Sequence, residues 1–304
     1  MSNHKIIFAT QDYQYLQNEI IENGSFLKGN LITKQFPDGE IYHQIETQVL
    51  QQSVVLIGGT IDDKNTLELY DLAHGIIQAG AKSLSIIIPY FGYATMERAV
   101  KAGEIVKAKN RALLFSSLPA CAEPNTVFLL DLHSDGIPYY FGSDVRCKHL
   151  YAKKIVMDIA NEIGGNQFVL AATDAGRAKW VESLANEMNV KSAFVYKHRM
   201  SGDETQITGV NADVKDKIVI IYDDMIRTGG SLMQAAQAYA AAGATSVFAI
   251  TTHGLFTNNA VQKIKDQGII KQVYSTNSHP NSIKLNDEIV QIKSIAGLLK
   301  NHLM

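Results

Sequence analysis

Two carboxylates and a glycine-bearing loop stand a few residues apart in the second half of the chain. Asp223 and Asp224 follow the β-branched run Ile218–Ile221, which is too short for a helix and is typical of a strand buried on both faces. The loop Arg227–Ser231 then leads into a predicted helix over 232–242. Carboxylates beyond the carboxyl end of a strand suit hydroxyl groups or a divalent cation, whereas loop amides and a helix N-terminus suit a phosphate. A sugar phosphate needs both chemistries; the alternative is an acidic turn left in solvent.

Two further polar residues follow predicted buried strands. His133 comes after the strand Thr126–Leu130 and Asp131, and the sequence alone leaves it either a structural histidine or a site residue. Asp174 follows the strand Phe168–Ala172 in a glycine-bearing turn. A carboxylate in that position suits a cation or a sugar hydroxyl better than it suits packing.

Two cations, Lys197 and Arg199, begin a polar stretch that continues to Asp216 and leads into the acidic motif. Taken alone they are ordinary solvated side chains. In a phosphoryl-transfer enzyme the same cations would neutralise charge on the transferred group. Their interpretation therefore depends on the neighbouring motifs.

Predicted strands alternate with predicted helices along the whole chain. This alternation favours parallel sheets with helices on both faces. The pattern starts again with a predicted helix over 150–163, so the simplest account is two α/β halves joined near 141–149. The strand that precedes the acidic pair is predicted to end at Ile221, and no strand is predicted within 197–216.

The composition is that of a globular protein without a strong charge bias. The 304 residues carry a formal charge of −2, with 46% hydrophobic and 19% charged residues. This balance gives no electrostatic footprint for nucleic acid or an anionic membrane. The two cysteines, Cys121 and Cys147, fit no metal-ligand spacing. The N-terminus lacks the apolar segment of a signal peptide, so we expect a cytoplasmic enzyme.

Taken together, these segments resemble the ribose-phosphate diphosphokinase family, also called phosphoribosyl-diphosphate synthetases, over nearly the whole chain. Tyr222–Ser231 resembles the phosphoribosyl-diphosphate signature that this family shares with type I phosphoribosyltransferases, which have only that motif and usually one such domain. Phe36–Glu40 resembles the family's adenine-binding loop, and Pro89–Ala94 resembles the start of its ATP-binding segment. The resemblance implies an α/β fold of two tandem type I phosphoribosyltransferase-like domains, 1–145 and 146–304, each a mostly parallel sheet with helices on both faces.

The resemblance also implies a reaction and a role for individual residues. The reaction transfers the β,γ-diphosphate of ATP, with Mg²⁺, to the 1-hydroxyl of ribose 5-phosphate. The implied catalytic residues are Lys197 and Arg199, and the implied metal positions are His133 and Asp174. The implied ATP-binding residues are Phe36, Asp38, Glu40, Arg98 and His133. The implied acceptor-binding residues are Asp174, Asp223, Asp224, Arg227, Thr228, Gly229, Gly230 and Ser231. A homo-oligomer, either a dimer or a hexamer, is expected, in which the loop 36–40 serves a neighbouring active site.

The sequence departs from the family pattern mainly in its binding loops. The family usually has Arg-Gln-Asp-Arg where residues 95–98 read Thr-Met-Glu-Arg, so that only Arg98 carries over. Arg177 stands where glycine is usual, and Trp180 stands where arginine is common. Arg227 occupies a position usually held by aspartate or a small residue. Arg177, Arg227 and Trp180 thus add charge and an aromatic face near the expected acceptor site.

These departures leave three hypotheses open. The first is a synthetase with divergent loops. The second is a diphosphokinase for a larger acceptor such as ADP-ribose, whose second phosphate could meet Arg227 and whose adenine could stack on an aromatic ring. The third is a regulatory paralogue without catalysis. Retention of the cationic pair and of the metal positions argues against the third.

Overall fold

The computed structural model describes residues 4–22, 24–165, 167–199, 205–211, 213–285 and 287–304, and the side chains of 197–199 and 205–208 lie outside this description. The chain divides into two compact units. One contains the residues up to Tyr151 together with Ala296–Met304, and the other contains Ala152–Ile295. No helix among the described residues has both the length and the apolar character needed to cross a membrane.

The first unit is built on a six-stranded parallel sheet. The unit contains eight strands, six of them in this sheet: β1 (Ile6–Ala9), β2 (Leu27–Lys28), β3 (Leu31–Gln35), β4 (Ile41–Ile45), β5 (Ser53–Ile57), β6 (Ser83–Ile88), β7 (Thr126–Leu130) and β8 (Arg146–Leu150). The sheet order is β2-β1-β5-β6-β7-β8, while β3 and β4 form a separate antiparallel hairpin. The helices are α1 (Gln14–Ile21), α2 (Asp63–Gln78), α3 (Lys107–Ser116) and the last helix of the chain, α9 (Ala296–Leu303).

The second unit carries a seven-stranded sheet. Its strands are β9 (Phe168–Ala172), β10 (Lys191–Arg199), β11 (Thr205–Val210), β12 (Ile218–Ile226), β13 (Ser246–Gly254), β14 (Ile270–Thr276) and β15 (Val290–Lys293). The order is β11-β10-β9-β12-β13-β14-β15, and only the β10–β11 pair is antiparallel. The helices are α4 (Lys153–Gly164), α5 (Ala178–Glu187), α6 (Gly230–Ala241), α7 (Ala260–Gln267) and the short α8 (Pro280–Ile283).

The central strand β12 presents alternate residues to two separate cores, as the two-residue period of a strand requires. Val219 and Ile221 pack in the cluster that includes Leu232 of α6. Ile220 and Tyr222 pack in the cluster formed with α4 and α5. Because both faces of the strand are covered, its sequence is a continuous apolar run.

The predicted alternation of strands and helices is confirmed, but three features differ from the sequence prediction. β8, which was not predicted as a strand, pairs with β7 in the first sheet, and the first compact unit contains the residues up to Tyr151. The polar stretch 197–216 contains β11, which pairs with the extended end of β10. β12 continues to Ile226, so Asp223 and Asp224 lie within the strand and not beyond its end.

A layer of buried polar side chains lies at the carboxyl ends of β13 and β14. The carbonyl oxygen of Thr252 accepts hydrogen bonds from Thr276 Oγ1 at 2.6 Å and from Ser278 Oγ at 2.8 Å. Ser278 Oγ also lies 2.8 Å from His253 Nδ1. His279 is buried at the start of α8, where its Nδ1 accepts a hydrogen bond from the amide of Asn281 at 3.1 Å.

His279→Asn is expected to make the protein less sensitive to acid. Burial, with smaller contributions from His253 and Lys284, lowers the pKa of His279 to about 3 from an ordinary 6.5. The unfolded chain therefore binds a proton that the folded chain does not bind, and stability is lost as the pH falls below 6.5. Between about pH 7.5 and pH 5 this linkage lowers the free energy of unfolding by about 2 kcal/mol.

Asparagine keeps a capping acceptor but does not titrate. Urea unfolding of both proteins at the two pH values measures the change in stability. An equal loss for the wild type and the variant would contradict this assignment.

Candidate active site

Asp223 lies in the second half of β12, directly after the last residue of β12 that pairs with β9. Its Oδ2 accepts a hydrogen bond from Thr173 Oγ1 at 3.0 Å, and its Oδ1 accepts one from the amide of Asp224 at 3.0 Å. The side chain is half-buried. Thr173 did not stand out in the sequence, although it directly follows β9 and precedes Asp174. Two donors thus orient the Asp223 carboxylate at the edge where α/β sheets bind ligands.

The surroundings of Asp223 oppose its ionisation. Burial raises the pKa of Asp223 well above its ordinary value, and the neighbouring charge of Asp224 raises it further. The hydrogen bond from Thr173 and the charge of Arg177 act in the opposite direction with smaller effects. Ionisation of the Asp223 carboxyl is therefore unfavourable in this structure. A hydroxyl donor or a cation bound at this position would stabilise the carboxylate.

Asp224 is buried, with 2% of its surface exposed, and it is paired with Arg177. The two charged groups approach to 2.6 Å between Arg177 Nη2 and Asp224 Oδ2. Burial by itself lowers the pKa of Arg177, but Asp224 carries this pKa above its ordinary value, so the guanidinium stays charged. The guanidinium of Arg177 thus forms an ion pair with the carboxylate of Asp224 and neutralises its charge.

The side chain of Trp180 packs against the side chain of Tyr222 in the second unit. The two rings stack with centroids 4.1 Å apart and planes inclined by 17°. Trp180 is half-buried against the core on the α5 side of the sheet. One face of the indole is therefore covered by Tyr222.

The loop after β12 meets the N-terminus of α6. Gly229 takes the left-handed conformation, with φ of 77°, and it precedes the first residue of α6 without a side-chain cap. Glycine is required there because other residues adopt this conformation only with strain. Arg227, Thr228 and Ser231 are exposed around this turn. Hydroxyls, loop amides and the end of a twelve-residue helix together suit a phosphate.

Asp174 lies in the turn between β9 and α5 and is half-buried. Its Oδ1 accepts a hydrogen bond from the amide of Gly176 at 2.9 Å. A Cβ atom at Gly176 would lie 3.1 Å from that oxygen, so the turn is built closely around the carboxylate. Among the described residues, no three His, Cys, Asp or Glu side chains are grouped so that they could hold a metal ion.

The predicted adenine loop Phe36–Glu40 is the turn of the β3–β4 hairpin. The amide of Phe36 bonds to the carbonyl of Glu40 at 2.8 Å, and the amide of Glu40 bonds to Asp38 Oδ1 at 3.1 Å. Phe36 is 47% exposed, and its ring contacts Tyr42 edge-on. An aromatic side chain is thus displayed at the tip of a hairpin.

His133 is exposed in the turn that follows β7. The preceding amide, that of Leu132, donates to Nε2 of His149 at 2.9 Å, and Nδ1 of His149 lies 3.5 Å from Asp135. His149, on β8, therefore braces the turn that carries His133. The sequence prediction missed this role because β8 was not predicted.

Three further cationic residues of the predicted site are Arg98, Lys197 and Arg199. Arg98 is exposed, and its Nε lies 3.5 Å from Glu97 Oε1. Lys197 and Arg199 lie in the last part of β10, where they pair in register with Ile207 and Thr205 of β11. The side chains of Lys197 and Arg199 lie outside the described residues. The second unit thus brings together Asp223, Asp224, Arg177 and the Thr228–Ser231 loop, whereas Phe36–Glu40, Arg98 and His133 belong to the first unit.

Comparisons with known proteins give one consistent family. Residues 5–118 match the family model described as the N-terminal domain of ribose phosphate pyrophosphokinase, and residues 145–301 match the phosphoribosyl synthetase-associated domain. The ribose-phosphate pyrophosphokinase of Prochlorococcus marinus is 31% identical over 96% of this chain and 87% of its own length. That of Fusobacterium nucleatum is 29% identical over 98% and 94%.

A solved structure agrees with these sequence matches. The crystal structure of phosphoribosylpyrophosphate synthetase from Mycobacterium smegmatis superposes with a TM-score of 0.88 and 25% identity. The match covers 99% of this chain and 97% of that one. The fold class predicted from the sequence, two tandem phosphoribosyltransferase-like domains with mostly parallel sheets, is confirmed.

Proposed function

This chain belongs to the ribose-phosphate pyrophosphokinase family, which is a family of enzymes, and we propose that it transfers the β,γ-diphosphate of ATP to the 1-hydroxyl of ribose 5-phosphate. The products are phosphoribosyl diphosphate and AMP. The observation that carries this proposal is the pairing of an oriented carboxylate, Asp223, with the phosphate-suited loop Thr228–Ser231 on one strand and the helix that follows it. This pairing fits a ribose that carries a phosphate.

The acceptor is held from both ends in this proposal. The ribose 2- and 3-hydroxyls donate to the carboxylate of Asp223, with Asp224 behind it. The amides and hydroxyls of Thr228–Ser231 bind the 5-phosphate. Because hydroxyl donors stabilise the ionised form of Asp223, they offset the burial that raises the pKa of this carboxyl.

The chemical step is an in-line displacement at the β-phosphorus of ATP. The 1-hydroxyl oxygen forms a bond to the β-phosphorus and its proton passes to solvent, while the bond between the β-phosphorus and the bridging α-phosphate oxygen breaks and AMP leaves with that oxygen. Lys197 and Arg199 neutralise charge on the transferred diphosphate. Closure of the Lys197 segment excludes water, which would otherwise hydrolyse ATP or the product.

A magnesium ion fits this site as part of the nucleotide. Mg²⁺ keeps phosphate and water ligands and needs only one or two protein carboxylates, so the oriented carboxylate of Asp174 suits it without a cluster of ligands. His133 is the second position proposed near the nucleotide phosphates. Bound with ATP, Mg²⁺ would supply charge neutralisation at the phosphate oxygens.

The nucleotide is proposed to bind through Phe36, Asp38, Glu40, Arg98 and His133. Phe36 offers an aromatic face for adenine, since nearly half of its surface is exposed on the hairpin. We propose a homo-oligomer in which this hairpin serves the active site of a neighbouring subunit. A dimer and a hexamer both satisfy that arrangement.

The function is tested by incubating the protein with MgATP and either ribose 5-phosphate or ADP-ribose while following AMP. AMP formed with ribose 5-phosphate supports the synthetase. AMP formed only with ADP-ribose supports a diphosphokinase for larger acceptors. No AMP with either acceptor would support a regulatory paralogue without catalysis.

The larger acceptor remains a second candidate because Arg227 is exposed beside the phosphate loop. The other two departures support it less than the sequence suggested. Arg177 is paired with Asp224, and Trp180 has one face against Tyr222. The hypothesis therefore depends on Arg227.

Arg227→Asp is expected to lower any use of ADP-ribose about tenfold or more, because a charge-assisted bond to the second phosphate is replaced by repulsion. Activity with ribose 5-phosphate should change much less, since family members usually carry a small or acidic residue here. The ratio of kcat/KM values for the two acceptors is the measurement. Lys263→Asp, which makes the same charge change on the exposed face of α7, is the matched control. An unchanged ratio in Arg227→Asp would remove the main support for a larger acceptor.

A further inference from the structure

The Arg177–Asp224 pair joins two elements at the edge of the acceptor site. Arg177 directly precedes α5, and Asp224 lies in β12. Their side chains are 17% and 3% exposed, so both charges are largely withdrawn from water. A charge buried to this extent is costly unless its partner is held in place. The pair therefore fixes the start of α5 against the carboxyl end of β12.

The same pair determines where Asp223 lies. Neighbouring strand residues point to opposite faces, so Asp224 faces α5 while Asp223 faces the α6 side of the sheet. The amide of Asp224 donates to Asp223 Oδ1 at 3.0 Å, and Thr173 donates to Asp223 Oδ2 at 3.0 Å. Anchoring Asp224 from behind thus holds one of the two donors that orient Asp223.

Trp180 completes the arrangement one helical turn beyond Arg177. Its indole stacks on Tyr222, the residue that precedes the acidic pair. The hydroxyl oxygen of Tyr222 lies 3.1 Å from Thr252 Oγ1, within hydrogen-bond distance. The strand segment that carries both aspartates is therefore held on the α5 side by an ion pair and by a ring stack.

We propose that Arg177 is a positioning residue for the acceptor: through Asp224 it holds the Asp223 carboxylate in place for the ribose hydroxyls. This inference rests on the proposed function, because it assigns the hydroxyl-binding end of that acceptor site.

The inference is tested with Arg177→Gln and Arg177→Lys. Arg177→Gln is expected to raise the KM for ribose 5-phosphate about tenfold and to change the KM for ATP by less than about twofold. Arg177→Lys keeps the charge and should recover part of the loss. Lys179→Gln, an exposed change on the same helix, should match the wild type.

Fluorescence provides a readout that does not require turnover. Trp180 is the sole tryptophan of the chain and stacks on Tyr222 beside the acidic pair. Titration with ribose 5-phosphate in the absence of ATP should change its emission, and Arg177→Gln should shift this titration to higher concentrations. A melting curve for each variant separates loss of the fold from loss of positioning. If Arg177→Gln does not fold, Arg177→Lys carries the same comparison.

The outcomes distinguish this inference from the proposed function. An active wild type together with an unchanged acceptor KM in Arg177→Gln overturns the positioning role alone. Equal increases in the KM for ATP and for the acceptor also overturn it, since a general structural role would produce them. A wild type that forms no AMP with ribose 5-phosphate and shows no fluorescence response overturns both.

Discussion

Lys197→Ala is expected to lower kcat for AMP formation by about a thousandfold or more while leaving the melting temperature close to that of the wild type. Cations that contact a transferred phosphoryl group contribute factors of roughly 10³ to 10⁵ in comparable reactions. The charge on the diphosphate changes most in the transition state, so the effect should fall on kcat and much less on the KM for ATP.

The backbone around Lys197 explains why folding should survive this change. Lys197 lies near the end of β10, after an irregularity in register between Tyr196 and Lys197, and β10 pairs there with β11 at the edge of the sheet. An alanine keeps the backbone hydrogen bonds of the strand. The core of the unit is formed by other residues, including Ala193 and Val195 of the same strand.

Lys191→Ala is the matched control, because Lys191 is exposed at the opposite end of the same strand. It should retain wild-type kcat. Single-turnover measurements with ATP and ribose 5-phosphate separate the chemical step from product release. Wild-type activity in Lys197→Ala would contradict the proposed mechanism.

The architecture of both units was largely predictable from the sequence because their buried strands are apolar runs. Phe168–Ala172 and Thr126–Leu130 were predicted with the bounds that the structure has. β8 has the sequence Arg-Cys-Lys-His-Leu, which lacks both a continuous apolar run and β-branched residues. It is an edge strand covered less completely than the central strands of its sheet, so its sequence gives little signal.

The acidic pair shows what a linear sequence leaves out. Its position near the carboxyl end of a strand was predicted, and the glycine at the start of the next helix was predicted as part of the loop. The different environments of the two aspartates depend on the faces of β12 and on Arg177, which is distant in sequence. The sequence shows that residue 177 is an arginine and therefore positively charged. Only the three-dimensional structure shows that Asp224 is its partner.

Asp223→Asn is expected to abolish most of the activity and to stabilise the folded protein without ligand. The single amide oxygen can keep the hydrogen bond from Thr173 but not also the one from the amide of Asp224, and the side chain carries no charge, so the bonds from ribose hydroxyls become weaker. A fall in kcat/KM for ribose 5-phosphate of about a hundredfold or more follows from the loss of two charge-assisted bonds.

The gain in stability follows from the direction of the pKa shift. Burial and the charge of Asp224 raise the pKa of Asp223 above its ordinary 3.8, so the folded chain keeps a proton that the unfolded chain releases. Stability therefore falls as the pH rises from 3.8 through the folded pKa, and the whole penalty is present above that value. Asparagine removes the penalty.

Urea unfolding should show Asp223→Asn to be more stable than the wild type near pH 8, with the difference shrinking as the pH approaches 4. Asp216→Asn is the matched control, because Asp216 is exposed and its φ of 57° suits asparagine. This control should not change stability at either pH. If Asp223→Asn were less stable than the wild type near pH 8, Asp223 would contribute to folding as well as to binding. In that case, the ionised carboxylate of Asp223 would not lower the free energy of unfolding, and acceptor binding would not explain why the chain keeps a buried charge at this position.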